Sequence, residues 1–157
     1  MVILKSDHDV TILMGFPYLD LVEKALKISP EIRFATVCNM HGEVKYSEHR
    51  PGTKNLLSQR ESLKSLESAA RAWTLRNEFA SKIGKGEFVL AQYGKVKRIA
   101  IPLDSEHLLY LTTTKKADHN KIINKATKLK LGKLKKTRKT RQKTSYPLKL
   151  INSYADP

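Results

Sequence analysis

The longest stretch with a helical spacing of apolar residues runs from Leu56 to Ile83. It contains no Pro or Gly, and it is rich in residues that favour helices. Ser58 followed by Glu61 is the pattern of a capping box, and Gly84 is a typical stop signal. We therefore predict one long helix over Leu56–Ile83.

The apolar residues of this predicted helix fall on two stripes. The wider stripe contains Leu63, Leu66, Ala69, Ala70, Trp73 and Ala80, and the narrower one contains Ala72, Leu75, Phe79 and Ile83. A helix on the surface of a monomer needs only one apolar stripe. The second stripe therefore indicates either a helix that contacts another molecule or a helix that lies deep in its own core.

Alternation and β-branched content predict five strands around this helix. They are Ile32–Asn39, Glu43–His49, Glu87–Tyr93, Lys95–Leu103 and Glu106–Thr113. The first two are expected to form a hairpin about the turn 39–42, and the last three a meander. The long helix separates the two groups.

Two further helices are predicted at the ends of this region. One has Pro17 in its first turn and reaches Ile28, and the other spans Asp118–Leu131 with Asp118 as its N-cap. The order is helix, two strands, long helix, three strands, helix. This order predicts an α+β fold, in which a five-stranded antiparallel sheet carries the long helix on one face.

The same pattern divides the chain into three parts: residues 1–16, 17–131 and 132–157. Residues 17–131 form the predicted domain. The β-prone runs Met1–Lys5 and Val10–Met14 predict either a small hairpin or a loosely attached N-terminal arm. Residues 132–157 are interpreted as a basic C-terminal extension.

Charge distinguishes the last part of the chain from the rest. The formal net charge is +15, yet 14 of the 30 Lys and Arg residues and only 2 of the 15 acidic residues lie from Lys115 onward. Basic extensions of this kind typically bind polyanions. The predicted nucleic-acid-binding residues are Lys128, Lys130, Lys133, Lys135, Lys136, Arg138, Lys139, Arg141 and Lys143.

These cations suit phosphates because neutralising phosphates releases condensed counterions. No aromatic residue lies among them, so base stacking is not indicated. Nucleic acid is the first interpretation of this segment, an acidic protein the second and an anionic membrane surface the third. A tail that is merely solvated is the plain alternative.

The sequence contains no signature of catalysis or of metal binding. The five His residues and the single Cys38 show no metal-ligand spacing, and no phosphate-binding loop or nucleophile elbow is present. We expect Cys38 to be a buried, unreactive thiol. No cofactor and no catalytic residue is predicted. No apolar run approaches the length of a membrane span, and a cytoplasmic protein is expected.

The region from Leu19 to about Lys130 resembles the roadblock/dynein light chain domains, which share a profilin-like α/β sandwich with longin domains. The resemblance is carried by the segments 29–37 and 40–44, the long helix, the three-strand meander and Asp118-His119 at the last helix. Within the family it is greatest to small roadblock-like proteins of archaea.

This resemblance implies a protein–protein interaction module. In many roadblock proteins two copies pack through the long helix and the third strand, and some dimers bind small GTPases or act as assembly scaffolds. The implied homodimer interface here comprises Ala72, Leu75, Phe79, Ile83, Phe88 and Leu90.

Two other functions stay open at this point. In the first, the chain is a ribosome- or chromatin-bound factor whose basic tail supplies the main activity. In the second it is a small-molecule sensor, for which the sequence offers no ligand-specific residue. The first is compatible with the scaffold, because the domain could dimerise while the tail binds nucleic acid.

Overall fold

The computed structural model describes the backbone of residues 7–132 and the side chains of residues 17–132. In this part of the chain the helices are α1 (Asp7–Leu26), α2 (Gln59–Asn77), α3 (Ala80–Ile83) and α4 (His119–Ala126). The strands are β1 (Ile32–Asn39), β2 (Val44–His49), β3 (Val89–Gln92), β4 (Val96–Pro102) and β5 (His107–Thr114).

The strands form one antiparallel sheet in the order β2-β1-β5-β4-β3. The predicted five-stranded sheet is confirmed, and each strand begins and ends within two residues of its predicted bounds. Because β2 and β3 are the first and the last strand in this order, they form the two edges of the sheet.

The helices cover both faces of this sheet. Val22 of α1 and Ile122 of α4 pack with Val37, Ile99 and Leu109 on one face. On the other face, α2 contributes Leu66, Ala70 and Trp73, which pack against Cys38, Ala100, Leu108 and Tyr110. The predicted position of the long helix on one face is therefore confirmed. Leu66, Ala70 and Trp73 of its wider apolar stripe are buried, whereas Leu63 is exposed and Ala80 lies in α3.

The prediction of one uninterrupted helix from Leu56 to Ile83 is wrong at both ends. The capping box of Ser58 and Glu61 is present, so α2 begins at Gln59. It ends at Asn77, a weak helix former. The N–H of Phe79 then donates to the carbonyl three residues earlier at 3.3 Å, which closes a tighter turn before the separate α3.

This interruption lets the chain turn back towards the sheet. Gly84 has a φ of 93°, which only glycine adopts at low cost. A Cβ on Gly86 would lie 3.1 Å from Cη2 of Trp73, so the returning chain passes directly over that ring. The chain needs this close passage to enter β3.

The predicted N-terminal hairpin is wrong for Val10–Met14, which belongs to α1. β-propensity expresses how well a residue fits a sheet, and no strand of the described sheet pairs with this segment. Pro17 lies inside α1 and not in its first turn, so the helix crosses the boundary drawn between residues 16 and 17. Met1–Lys5 falls outside the described residues.

The last helix is shorter than predicted, because α4 ends at Ala126 and not at Leu131. Asp118 is its N-cap, as expected, and accepts a hydrogen bond from the N–H of Lys121. The N–H of Leu129 donates to the carbonyl of Ala126 at 3.0 Å, which terminates the helix with a tight turn. Leu129 and Leu131 nevertheless pack against the core.

Cys38 is buried beneath α2, with 1 % of its surface exposed. Burial raises the pKa of its thiol to about 12, so the reactive thiolate is scarce at neutral pH. We expect the native protein to resist Ellman's reagent at pH 8 and to release one equivalent of thiol after unfolding in guanidinium chloride. Rapid reaction in the native state would contradict this burial.

Candidate interaction surface

Four large apolar side chains lie exposed where α2, α3 and the approach to β3 meet. Their exposed fractions are 53 % for Leu75, 58 % for Phe79, 81 % for Ile83 and 45 % for Phe88. We call these four residues the apolar patch. Exposed apolar residues scattered singly are ordinary, but a contiguous group indicates a binding surface.

The apolar patch borders a groove with a volume of about 380 Å³. Trp73, Gly86 and Val89 form part of its lining. Trp73 is 3 % exposed, and its indole Nε1 has no hydrogen-bond partner among the described residues. A buried donor of this kind is costly unless an acceptor reaches it. The groove offers mainly apolar area, and this unpaired donor belongs to one of its lining residues.

An open strand edge adjoins the apolar patch. β3 pairs with β4 on one side through residues 89–92, and no described strand pairs with its other side. An edge strand presents unpaired N–H and C=O groups that can pair with another chain. The patch and the edge together can therefore supply hydrophobic area and directional hydrogen bonds to one partner.

The structure brings together most of the predicted interface residues, although not all. Leu75, Phe79, Ile83 and Phe88 form the apolar patch, and Ala72 is half-buried on α2. Leu90 is different. Alternation along β3 points it away from Val89, which packs with α2, and Leu90 packs against the core formed with α1 and α4.

The predicted nucleic-acid-binding residues lie mostly beyond the part of the chain that the structure describes. Lys128 and Lys130 follow α4 directly, and Lys128 is exposed. Lys133, Lys135, Lys136, Arg138, Lys139, Arg141 and Lys143 fall outside the described residues.

A row of three polar side chains that the sequence did not suggest joins α1 to the β4–β5 turn. The hydroxyl of Tyr18 lies 3.2 Å from Nε2 of His107, and Nδ1 of His107 lies 3.0 Å from a carboxylate oxygen of Asp104. Burial and the negative charges of Asp104 and Glu106 raise the pKa of Tyr18. Its hydroxyl therefore stays protonated at neutral pH, which suits a structural link and not a nucleophile.

Asp104 gives this link a dependence on pH. Burial opposes ionisation of the carboxyl, but hydrogen bonds from Glu106 and His107 outweigh it and hold its pKa below the ordinary value. We expect Asp104→Asn to lower the free energy of unfolding at neutral pH by up to about 1 kcal/mol, since the carboxylate is partly exposed.

The difference in the free energy of unfolding between the wild type and Asp104→Asn should become smaller at acidic pH. Since the folded pKa is depressed, the carboxylate stabilises the fold above its unfolded pKa, and this contribution is lost as pH falls through the folded pKa. Urea unfolding of both proteins at neutral and acidic pH measures it. A difference that is constant with pH would contradict the assignment.

Sites of two other kinds are absent from the described part of the chain. No group of three or more His, Cys, Asp or Glu residues is placed to hold a metal ion among the described side chains, residues 17–132. Each helix of the described backbone is too short or too polar to cross a bilayer.

Solved structures show the same architecture. The chain is similar to the gliding protein MglB from Thermus thermophilus, with 14% identity, a TM-score of 0.60, and coverage of 71% of this chain and 86% of that one. An MglB with a tetrameric arrangement gives 15% identity, a TM-score of 0.60, and coverage of 71% and 85%.

A Roadblock/LC7 domain from Streptomyces avermitilis gives 14% identity and a TM-score of 0.53, with coverage of 71% of this chain and 87% of that domain. No protein-family model and no curated protein matches the sequence. Identities this low bear on the fold alone. The sheet order, the helices on both faces and these matches establish that the chain has the roadblock/LC7 fold.

Proposed function

We propose that this protein is a non-enzymatic interaction module that forms a homodimer through the apolar patch and the free edge of β3. The observation that carries the proposal is that the apolar patch adjoins the free edge of β3, because Phe88 of the patch directly precedes Val89 of the strand. Phe79 is 58 % exposed, so burying the rest of its side chain would contribute about 1–2 kcal/mol. The four patch residues therefore supply the hydrophobic part of the interface, and hydrogen bonds along the β3 edge add to it.

Two-fold symmetry fits this surface. In a symmetric dimer each copy presents the same surface to the other, so β3 would pair antiparallel with its counterpart and continue the sheet across the two copies. The patch residues of each copy would then cover those of the other. The tetrameric arrangement of a similar MglB supports self-association as a use of this fold.

Hydrogen exchange tests this geometry at the level of single segments. As protein concentration rises, the backbone amides of residues 87–93 should exchange more slowly, because strand pairing protects them. β2, the other edge of the sheet, is the internal control and should keep its exchange rates. If β2 gains protection and β3 does not, the proposed interface is wrong.

The assembled dimer would act as a scaffold or regulator for a second protein. The resemblance to roadblock domains points to a small GTPase as the class of that protein. The β2 edge and the helices α1 and α4 lie away from the apolar patch, and they would stay accessible in the dimer. A cytoplasmic location and the archaeal resemblance remain predictions from the sequence.

The basic tail supports a second function, nucleic-acid binding, because its charge is concentrated in one segment and not spread over the domain. If about 5–7 phosphates are contacted, log K on duplex DNA should fall with log salt at a slope of roughly −5 to −6. Changing Lys135, Lys136, Arg138 and Lys139 together to Gln should weaken binding to all sequences alike.

A matched variant separates the tail from general positive charge. Four cations on the surface of the domain, Lys27, Lys45, Lys64 and Arg71, can be changed to Gln with the same loss of net charge. Filter binding of both variants should show a large loss for the tail variant and a small one for the domain variant. Equal losses would mean that the tail is not the binding site.

A further inference from the structure

A second cleft lies at the opposite end of α2 from the apolar patch. It has a volume of about 310 Å³ and opens between the sheet, the segment that leads into α2 and the turn between β3 and β4. Ligand pockets range from ~300 to 1,000 Å³, so this cleft suits a small molecule.

One transverse row of the sheet forms the floor of this cleft. Thr112 of β5 is directly opposite Phe34 of β1 on one side and Arg98 of β4 on the other. All three residues line the cleft. Thr112 is 2 % exposed, and its Oγ1 has no hydrogen-bond partner among the described residues. A buried hydroxyl without a partner is unfavourable, and Thr112 is one of the residues that line the cleft.

Two arginine side chains line the same cleft. Arg98 donates through Nη1 to Ser65 and lies 5.5 Å from the ring centroid of Tyr93, and Arg33 donates through Nη2 to the carbonyl of Lys54 at 2.7 Å. Each guanidinium keeps its Nε buried and without a partner among the described residues. The arginines are thus held in place, with one inner N–H each to spare.

The cleft carries positive charge without a compensating acid. Arg33, Arg98 and Lys95 line it, and no Asp or Glu among the described residues does. The ion pairs found among the described residues involve neither arginine. Charge that is partly removed from water favours a counter-ion, and a carboxylate can accept several N–H and O–H donors at once.

The remaining walls are apolar. Phe34, Leu56, Leu57 and Val96 supply them, so a small inorganic anion would leave most of the lining uncovered. We propose that this cleft binds a small organic monocarboxylate with an apolar body, its carboxylate on Thr112, Arg98 and Arg33. Neither the apolar patch nor residues 89–92 of β3 line this cleft, so the inference does not rest on the proposed dimer.

Amide NMR of the full chain tests the proposal, with phenylacetate and octanoate as anionic probes and phenylacetamide as the neutral match. Both carboxylates should shift the amide signals of Phe34, Tyr93 to Lys95 and Thr112 and saturate. Phenylacetamide should bind about tenfold more weakly, because it lacks the charge that the arginines recognise. Equal binding of phenylacetate and phenylacetamide, or no saturable shift at these amides, would overturn the proposal.

Thr112→Val tests the contribution of the buried hydroxyl to binding, because valine keeps the shape of threonine and removes only the hydroxyl. Affinity for phenylacetate should fall about tenfold, while the melting temperature stays the same or rises, since a buried hydroxyl without a partner is removed. Arg71→Gln on the exposed side of α2 removes a cation outside the cleft and should leave the affinity unchanged. If Thr112→Val binds phenylacetate as well as the wild type does, the site is wrong.

Discussion

Replacing Gly42 by Ala should lower the free energy of unfolding by about 3 kcal/mol or more. Gly42 has a φ of 81° in the β1–β2 turn, and a Cβ there would lie 2.6 Å from Cα and 2.7 Å from the backbone N of Glu67 in α2. Backbone strain and a clash with a helix backbone therefore add together. The β1–β2 hairpin therefore packs directly against the backbone of α2 at this turn.

Gly52 is the matched control for this substitution. Its φ of 82° is nearly the same, but a Cβ there would meet nothing within 4 Å. Gly52→Ala should therefore cost only the conformational strain, about 1–2 kcal/mol. Urea unfolding of both variants gives the difference that is due to the contact with α2. Equal losses in the free energy of unfolding would show that a Cβ at residue 42 does not clash with α2.

The second large effect is expected at the apolar patch. Leu75→Glu should weaken self-association on the order of 100-fold. In each of the two copies it removes about 1 kcal/mol of hydrophobic burial, since Leu75 is 53 % exposed in one chain, and it places a charge in the interface. Phe79→Glu should act in the same way. Size-exclusion chromatography with light scattering measures the shift from dimer to monomer.

Leu56→Glu is the control for Leu75→Glu, because Leu56 has the same exposed fraction of 53 % but lies beside the cleft at the other end of α2. It should leave the dimer intact, while both variants should retain the fold. Loss of the dimer in Leu56→Glu, or its persistence in Leu75→Glu, would place the interface elsewhere.

The strands were predictable because their signals are local. Ile32–Asn39 combines β-branched and aromatic residues with a following turn at Gly42, and the structure places β1 at the same bounds. The face that α2 buries was also predictable, since its buried residues Leu66, Ala70 and Trp73 all belong to the wider predicted stripe.

The ends of the helices were less predictable, because tertiary contacts decide them. Apart from the weak helix former Asn77, nothing between α2 and Ile83 indicates a break, since no Pro or Gly lies there, yet the chain turns at Gly84 and passes Trp73 before β3. Likewise, Val10–Met14 is β-prone in isolation but has no strand to pair with among the described residues. It joins α1 instead.

The cleft could not be found from the sequence, because its polar residues lie far apart in the chain. Arg33, Arg98 and Thr112 meet only when β1, β4 and β5 are in register. No pattern of residue spacing along the sequence indicates which residues become neighbours across the strands of a sheet. The prediction for Leu90 was wrong for a related reason. Period-2 alternation groups Leu90 with Phe88, but Phe88 precedes β3 and is exposed, whereas Leu90 lies within β3 and packs against the core formed with α1 and α4.

Sedimentation equilibrium of the full chain over a wide range of concentrations tests the central claim most directly. Self-association through the apolar patch predicts a mass that rises with concentration to twice the 17.9 kDa of one chain. The Leu75→Glu variant should stay at the mass of one chain over the same range. A wild-type protein that remains monomeric at the highest concentration would contradict the account.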